Sequence, residues 1–239
     1  ERAGWPLPMA FVAAVLIVRS AGSEMFGQYA LILNFLFLFE FMTEFGQVDI
    51  YVFDQLLRGQ IRSSMRVLDA GCGAGRNSEY LMRCGTEVFG VDSDPNQIAR
   101  IRDVAATAAP GLSPEHFRVA RLDDLPFPDA HFDAVICSAV LHFSKDTEEF
   151  ENAVSEMWRV LRPSGVFFAR LASTIGIEGR VKHLRDRWYH LPDGSDRFLV
   201  DESYLLGIST RLGAEQLDPL KTTVVQDMRS MTTWVLRKN

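Results

Sequence analysis

RVLDAGCGAGRN, residues 66–77, is the stretch that decides the fold of this chain. It begins with a short apolar run, passes through Asp69 and continues into three glycines at every second position. A pattern with helical spacing follows from Asn77 to Cys84. Glycine lets the backbone adopt left-handed dihedrals and lets a ligand approach closely, because it has no Cβ. The stretch therefore predicts a buried strand, a tight loop and a helix whose free N–H groups suit an anionic ligand.

Three familiar interpretations of this loop compete. A phosphate-binding loop needs Gly-Lys-Ser/Thr, whereas this chain has Arg76-Asn77 after the last glycine. A dinucleotide fingerprint has the spacing G-x-G-x-x-G, whereas the spacing here is G-x-G-x-G with an acid two residues before the first glycine. A plain glycine-rich turn between a strand and a helix is the third. Because the glycines alone do not decide between these interpretations, the other motifs of the chain are needed.

Composition and charge narrow the class of protein. The chain has 239 residues and a formal net charge of -6, enough length for one large α/β domain. An acidic balance disfavours a broad nucleic-acid interface, which needs clustered lysine and arginine. Three cysteines without a C-x-x-C pair indicate neither a disulfide framework nor a zinc site. We therefore expect no bound metal and a reduced, cytoplasmic setting.

The N-terminal segment, residues 1–41, is the anomaly. It carries two apolar runs of 14 residues, 5–18 and 29–42, each shorter than the roughly 20 residues that cross a bilayer as a helix. Three interpretations stay open: an apolar helical hairpin on a domain or membrane surface, a weak signal sequence, or residues that do not belong to the natural product. We favour the third, so membrane contact through this segment is not expected, and we expect a single domain over 42–239.

From residue 47 onward, apolar patterns alternate between helical and strand spacing. Helices are predicted over 47–60, 76–84, 95–105, 146–161 and 201–212, and strands over 65–70, 86–91, 116–120, 132–137 and 166–171. Two closing strands, 220–226 and 231–236, are expected to be antiparallel neighbours. Residues 173–200 break this rhythm, and Asp193-Gly194 between two alternating runs predicts a hairpin. This order indicates a mostly parallel sheet with helices on both faces and a cap insertion at about 173–200.

Four motifs in this order resemble the class I methyltransferases that use S-adenosylmethionine, in particular small-molecule enzymes with a type 11-like methyltransferase domain. The glycine loop VLDAGCGAG (67–75) is similar to motif I, and VFGVD (88–92) to the second strand with its terminal acid. LPFPD (125–129) with FDAVI (132–136), and WRVLRPSG (158–165), are similar to the later strands and turns. The resemblance covers about residues 65–172. It implies a doubly wound, mostly parallel, seven-stranded Rossmann-like sheet with an antiparallel last strand and a helical or hairpin cap.

The resemblance also implies a cofactor site. Asp69 would lie near the methionine ammonium, the glycine loop would wrap the methionine end, and Asp92 would accept hydrogen bonds from the ribose hydroxyls, although capping the next helix is an alternative role for it. Residues 121 and 122 would edge the adenine, but the family often has an acid or amide where this chain has Arg121, which cannot accept a hydrogen bond. Asp123 or backbone groups are candidates to replace it. The complete predicted set is Asp69, Gly71, Cys72, Gly73, Ala74, Gly75, Asp92, Ser93, Arg121, Leu122, Asp123 and Ser138.

Methyl transfer from a sulfonium is an in-line displacement, so alignment and exclusion of water are the main tasks of the protein. A general base is needed only for a protonated nucleophile. His142 is the one candidate, and packing beside Phe143 is the alternative. Arg170 could reach the mouth of the site or form a structural ion pair. The arginines and lysines of 173–200 indicate either an acidic substrate or a solvated lid.

The predicted function is S-adenosylmethionine-dependent methylation of a small-molecule acceptor, with no nucleic-acid partner and no prediction of oligomeric state. Two alternatives from other classes remain. One is a cofactor-binding accessory protein without turnover. The other is a nicotinamide-dependent oxidoreductase, which the glycine spacing and the absence of a Tyr-x-x-x-Lys pair disfavour.

Overall fold

The centre of the protein is a twisted sheet with helices on both faces. The structure, a computed structural model, describes residues 48–239. Its helices are α1 (Ile50–Leu57), α2 (Ser78–Arg83), α3 (Pro95–Ala108), α4 (Thr147–Val160) and α5 (Glu202–Arg211). Its strands are β1 (Arg66–Ala70), β2 (Glu87–Asp92), β3 (Phe117–Val119), β4 (Phe132–Ser138), β5 (Leu161–Ala172), β6 (Lys182–Arg185), β7 (Trp188–His190), β8 (Asp196–Phe198), β9 (Glu215–Gln216), β10 (Lys221–Val225) and β11 (Arg229–Arg237).

The main sheet has the strand order β10-β11-β5-β4-β1-β2-β3, and β9 pairs with β11 beside this path. β1 to β5 are mutually parallel, and β11 runs antiparallel to β5 and to β10. The predicted doubly wound sheet with an antiparallel last strand is therefore confirmed. Its order reverses between β1 and β4, and ligands of such sheets bind outside the carboxyl ends of the strands at this point.

Within residues 48–239, aspartates begin four of the five α-helices. Asp49, Asp94, Asp146 and Asp201 stand at the N-caps of α1, α3, α4 and α5, and each side chain accepts a backbone N–H of the first turn. Such caps stabilise a helix by about 1 kcal/mol each because they satisfy donors that have no partner within the helix. They explain why polar residues immediately before apolar patterns mark the helix starts in this sequence.

Alternating residues of the central strands pack into two hydrophobic layers. Leu68, Val135 and Phe167 face α4 and α5, whereas Val67, Ile136 and Phe168 face α1, α2 and α3. All six side chains are fully buried. Near-continuous burial of this kind is typical of parallel strands covered on both faces.

Residues 173–200 form a separate antiparallel sheet of three strands, β6-β7-β8. The predicted hairpin is present: Trp188 pairs with Phe198, and Gly194 in the turn has a φ of +82°. The resemblance implied either a helical or a hairpin cap. In the structure, residues 173–200 contain no helix. Phe198 is fully buried and stacks on Phe150 of α4 at 5.0 Å between ring centroids, which fixes one face of the small sheet against the domain.

The predictions for residues 1–41, and the start of the domain at Met42, lie outside the described residues and stay predictions. Within 48–239, no helix is long and apolar enough to cross a membrane. In the same part of the chain, no group of three or more His, Cys, Asp or Glu side chains could hold a metal ion.

Candidate cofactor and acceptor site

The glycine loop is bound to the neighbouring strand by its backbone. The N–H groups of Gly71 and Cys72 both donate to the carbonyl of Val91, at 2.8 and 2.9 Å. Gly71, Gly73 and Gly75 have φ values of +78°, +52° and +93°, which other residues adopt only with strain. The loop between β1 and α2 therefore turns sharply at the carboxyl edge of the sheet, where the strand order reverses.

Asp92 ends β2 and faces this loop. One carboxylate oxygen accepts the N–H of Gly73 and the other accepts the N–H of Asp94, both at 2.9 Å. Asp94, not Asp92, caps α3 through the N–H of Asn96 at 2.8 Å. The alternative capping role of Asp92 therefore belongs to its neighbour. Each oxygen of Asp92 retains acceptor capacity for a ligand, since a carboxylate oxygen can accept two hydrogen bonds.

A cleft with about 640 Å³ of empty space, including its mouth, opens beside Asp92. Six of the predicted residues line it: Gly71, Asp92, Ser93, Arg121, Leu122 and Asp123. Its other walls were not predicted and come from Ala120, Val140, Leu141, Phe143, Ser144, Glu149 and Ala153. The predicted residues that lie outside this lining are Asp69, Cys72, Gly73, Ala74, Gly75, Ser138 and His142. The structure thus brings together, at one cleft, the residues predicted to contact the ribose and the adenine.

Asp69 is buried at the end of β1, and its carboxylate accepts a hydrogen bond from the hydroxyl of Ser78 at 2.7 Å. No salt bridge within residues 48–239 includes it. Burial raises the pKa of Asp69 to about 6, the negative charge of Asp92 adds to this, and the Ser78 hydrogen bond opposes it. A buried carboxylate without a cation is an environment that favours a positively charged ligand group.

Cys72 contributes packing rather than chemistry. Its side chain is buried, and burial raises the pKa of the thiol, which keeps it protonated. A Cβ added to Gly90 of β2 would lie only 2.9 Å from the Cys72 sulfur. The glycine in β2 therefore makes room for this side chain.

Arg121 is held by two acids. Its guanidinium donates two hydrogen bonds of 2.9 Å to Asp123 and a third to Glu149 of α4. The hydrogen bond from Arg121 holds the pKa of Asp123 below its usual range. Each Asp123 oxygen accepts one hydrogen bond from Arg121 and keeps capacity for a second, so Asp123 stays a candidate for the role that the family gives to an acid at position 121. Glu149 was missed because it is 28 residues away and its position on α4 gives no local signal.

His142 lies in a short 3₁₀ turn, Leu141–Phe143, directly after β4. It is 8% exposed, and its ring centroid is 4.5 Å from that of Phe143. Its Nδ1 is buried without a hydrogen-bond partner among residues 48–239. Burial, followed by the charges of Arg197, Arg170 and Arg229, lowers its pKa to about 4. His142 is therefore neutral at pH 7, and its catalytic role stays a prediction.

Ser138 belongs to a partly buried polar cluster around Asp49 at the same sheet edge. Its hydroxyl donates to Asp49 at 2.9 Å, and Arg170 forms an ion pair of 3.0 Å with the same oxygen. The N–H of Asp49 donates to the side chain of Asn77 at 2.9 Å, which joins α1 to the start of α2. Of the two roles considered for Arg170, the structure shows the ion pair. Asp49 was missed, although an aspartate before an apolar helical pattern is a recognisable cap signal.

Comparison with known proteins agrees with this geometry. The family model described as "Methyltransferase domain" matches residues 68–169. The match runs from β1 to β5, so this part of the chain is similar to a methyltransferase domain. A malonyl-[acyl-carrier protein] O-methyltransferase of Enterobacter lignolyticus is 29% identical to it over 172 residues, which are 71% of this chain and 63% of that protein. The chain spans between 38% and 63% of the length of the curated relatives compared.

Solved structures support the fold. An S-adenosylmethionine-dependent methyltransferase of Methanosarcina mazei superimposes with a TM-score of 0.64 at 21% identity, over 76% of this chain and 96% of that one. The 1,6-didemethyltoxoflavin-N1-methyltransferase of Burkholderia thailandensis, solved with its acceptor and S-adenosylhomocysteine, gives a TM-score of 0.62 at 18% identity, over 100% of this chain and 93% of that one. Because both identities lie below 25%, these similarities are evidence for the fold alone.

S-adenosylmethionine is the cofactor named for the Methanosarcina mazei structure, and the residues present in this chain fit it. Asp92 offers both carboxylate oxygens at the cleft, as vicinal ribose hydroxyls require. Asp69 offers a buried negative charge without a cationic partner, which suits the methionine ammonium. The glycine loop lies between these two acids and presents little side-chain bulk.

The raised pKa of Asp69 predicts how cofactor affinity depends on pH. An ammonium group binds the ionised carboxylate better than the neutral acid, so affinity for S-adenosylhomocysteine should rise with pH up to about 6 and then level off. Below that point we expect about tenfold weaker binding for each pH unit. Calorimetry between pH 4.5 and 7.5 measures this. Asp69→Asn should flatten the profile, and Ser78→Ala should move its inflection to higher pH. An inflection that persists in Asp69→Asn would assign it to another group.

The raised pKa of Asp69 also makes the free energy of unfolding depend on pH. The folded-state pKa of Asp69 lies above the value of 3.8 for a free aspartate, so the native protein binds the proton more tightly than the unfolded chain. Its contribution to the free energy of unfolding is thus greatest below pH 4 and is lost as the pH rises to about 6.

Proposed function

We propose that the chain transfers the methyl group of S-adenosylmethionine to a small-molecule acceptor. The observation that supports this most directly is the cleft at the reversal of the sheet, where Asp92 and Gly71 of the glycine loop meet residues 120–123. S-adenosylmethionine, when bound, supplies a methyl group that is already activated on a sulfonium. The family match and the glycine spacing favour this reaction over nicotinamide-dependent oxidation.

The residues of the chain would bind and orient rather than react. Asp92 would hold the ribose and Asp69 the ammonium, so the ribose and the methionine end of the cofactor would be fixed relative to the sheet. Val140, Leu141 and Phe143 form an apolar wall of the cleft, which excludes water from the reacting groups. Orientation of this kind accounts for a large share of the rate of bimolecular transfers.

The environment of His142 limits its part in the reaction. A pKa of about 4 makes it a weak base at neutral pH, since an effective general base has a pKa near the working pH. Its neutral, unpartnered Nδ1 can instead accept a hydrogen bond. Because His142 lies outside the lining of the cleft, a direct role in the transfer stays a prediction.

Titration calorimetry of the full chain with S-adenosylmethionine, S-adenosylhomocysteine and NADH tests the cofactor. We expect dissociation constants in about the micromolar range for the first two and no binding of NADH. Folded protein that binds neither sulfur compound would overturn the proposed function.

Formation of S-adenosylhomocysteine with a panel of small acceptors then tests turnover. Because curated relatives are named for malonyl-[acyl-carrier protein], the panel includes malonyl and acetyl thioesters of a small thiol. Methyl transfer to at least one acceptor is the expected result. Cofactor binding without turnover on the whole panel would favour the accessory protein that binds the cofactor without transfer.

A further inference from the structure

Three guanidinium groups act on the part of the domain around His142. Arg170 lies at the carboxyl end of β5, Arg197 lies in β8 of the small sheet, and Arg229 begins β11. All three lower the pKa of the buried His142 by their positive charge, after the larger effect of burial. Three positive charges therefore act on the turn that carries His142 and Phe143.

Two of these three charges are neutralised within the protein. Arg170 forms an ion pair of 3.0 Å with the buried Asp49, and Arg229 forms one with Asp193. Arg197 forms no salt bridge within residues 48–239, and its side chain donates one hydrogen bond, of 2.7 Å, to the backbone carbonyl of Asp196. Arg197 thus carries the uncompensated charge of the group.

The position of Arg197 connects it to the cofactor cleft. Its guanidinium carbon lies 5.0 Å from the centroid of the Phe143 ring. Phe143 lines the cleft and is 58% exposed. A guanidinium stacked on a ring keeps its N–H groups available in its own plane, where they match the two oxygens of a carboxylate or phosphate. Arg197 is therefore held at the rim of the cleft as an anion-binding group beside an exposed apolar surface.

We propose that the methyl acceptor carries an anionic group, which Arg197 binds while the Phe143 ring contacts the apolar part of the molecule beside it. The inference rests on the proposed function, because it names the class of acceptor for that same cleft. Carboxylates and phosphates share this recognition, and the test separates them.

Ligand-observed NMR on the full chain saturated with S-adenosylhomocysteine provides the test. The probes are benzoate, phenyl phosphate and benzamide, which share an aromatic ring and differ in charge. We expect benzoate or phenyl phosphate to bind with a dissociation constant of about 1–10 mM and benzamide to bind at least about tenfold more weakly. The stronger of the two anions identifies the preferred group.

Arg197→Gln should weaken the binding of the preferred anion by about tenfold or more, and Arg197→Lys should recover part of it. Arg185→Gln is the matched control. Arg185 is an exposed arginine of the same small sheet, stacked over Trp188 at 5.6 Å. We expect the control to bind the anion as the unmodified chain does.

Several outcomes would overturn the inference. They are equal binding of benzamide and benzoate, unchanged anion binding in Arg197→Gln, and no anion binding up to about 50 mM. Calorimetry of Arg197→Gln with S-adenosylhomocysteine adds a fourth, since a tenfold loss there would assign Arg197 to the cofactor. Failure of the unmodified chain to bind S-adenosylhomocysteine is a separate result, which overturns the proposed function and the inference with it.

Discussion

Asp92→Ala should lower the affinity for S-adenosylhomocysteine by about 100-fold, or about 3 kcal/mol. The proposed contact consists of two hydrogen bonds from ribose hydroxyls to a carboxylate, and hydrogen bonds to charged groups contribute about 1.5–3 kcal/mol each. Part of the loss should come from the loop itself, because Asp92 also accepts the N–H of Gly73 at 2.9 Å. Titration calorimetry at pH 7.5 measures the change.

Asp94→Ala is the control for Asp92→Ala, since it removes a neighbouring carboxylate with a purely local role. Asp94 caps α3 through the N–H of Asn96, so its loss should cost about 1 kcal/mol of stability. We expect its cofactor affinity to stay within about threefold of the unmodified chain. Equal losses in both variants would show that Asp92 acts through the local fold and would contradict the ribose contact.

Gly71→Ala should be the most destabilising substitution in the glycine loop, at roughly 2–5 kcal/mol in the free energy of unfolding. Two costs add at this position. The φ of +78° strains any residue with a Cβ, and a Cβ would lie 2.5 Å from a methyl carbon of Val140. Urea unfolding followed by circular dichroism measures the loss. We expect cofactor binding to be lost with it, because Gly71 and Val140 both line the cleft.

Two variants separate strain from overlap at Gly71. Gly73→Ala has a φ of +52° but no atom within 4 Å of the added Cβ, so it should cost only the strain, about 1 kcal/mol. Gly71→Ala combined with Val140→Ala should recover the part due to overlap and leave the strain. A Gly71→Ala variant as stable as Gly73→Ala would contradict the close packing of the loop against Val140.

Most of the fold was predictable because its signals are local. The aspartates that cap α3 and α5 each stand directly before an apolar helical pattern, and the loop glycines occupy backbone conformations that favour glycine. Alternating strands and helices then leave few topologies, since parallel strands need crossover connections. The separate antiparallel sheet was only partly predicted, because β6 is fully exposed and lacks an apolar alternation.

The candidate site divides in the same way. Gly71, Asp92 and Ser93 line one cleft because each lies at the end of a recognisable strand or directly after it, and their role as cofactor ligands stays a prediction. The partners of Arg121 were harder to predict from the sequence. Its partner Asp123 is two residues away, but Glu149 reaches it only because α4 packs over the loop.

The sequence by itself determined that the sheet is mostly parallel, and it located the glycine loop and the acids beside it. These features depend on residues that lie close together in the chain. The tertiary structure alone decided which charges are compensated. Asp49 and Arg170 are 121 residues apart, and their ion pair exists because α1 crosses the carboxyl edge of β5. Arg197 lies over Phe143 because the small sheet folds back onto the turn after β4. Such pairings depend on packing between distant elements, and no local pattern in the chain encodes them.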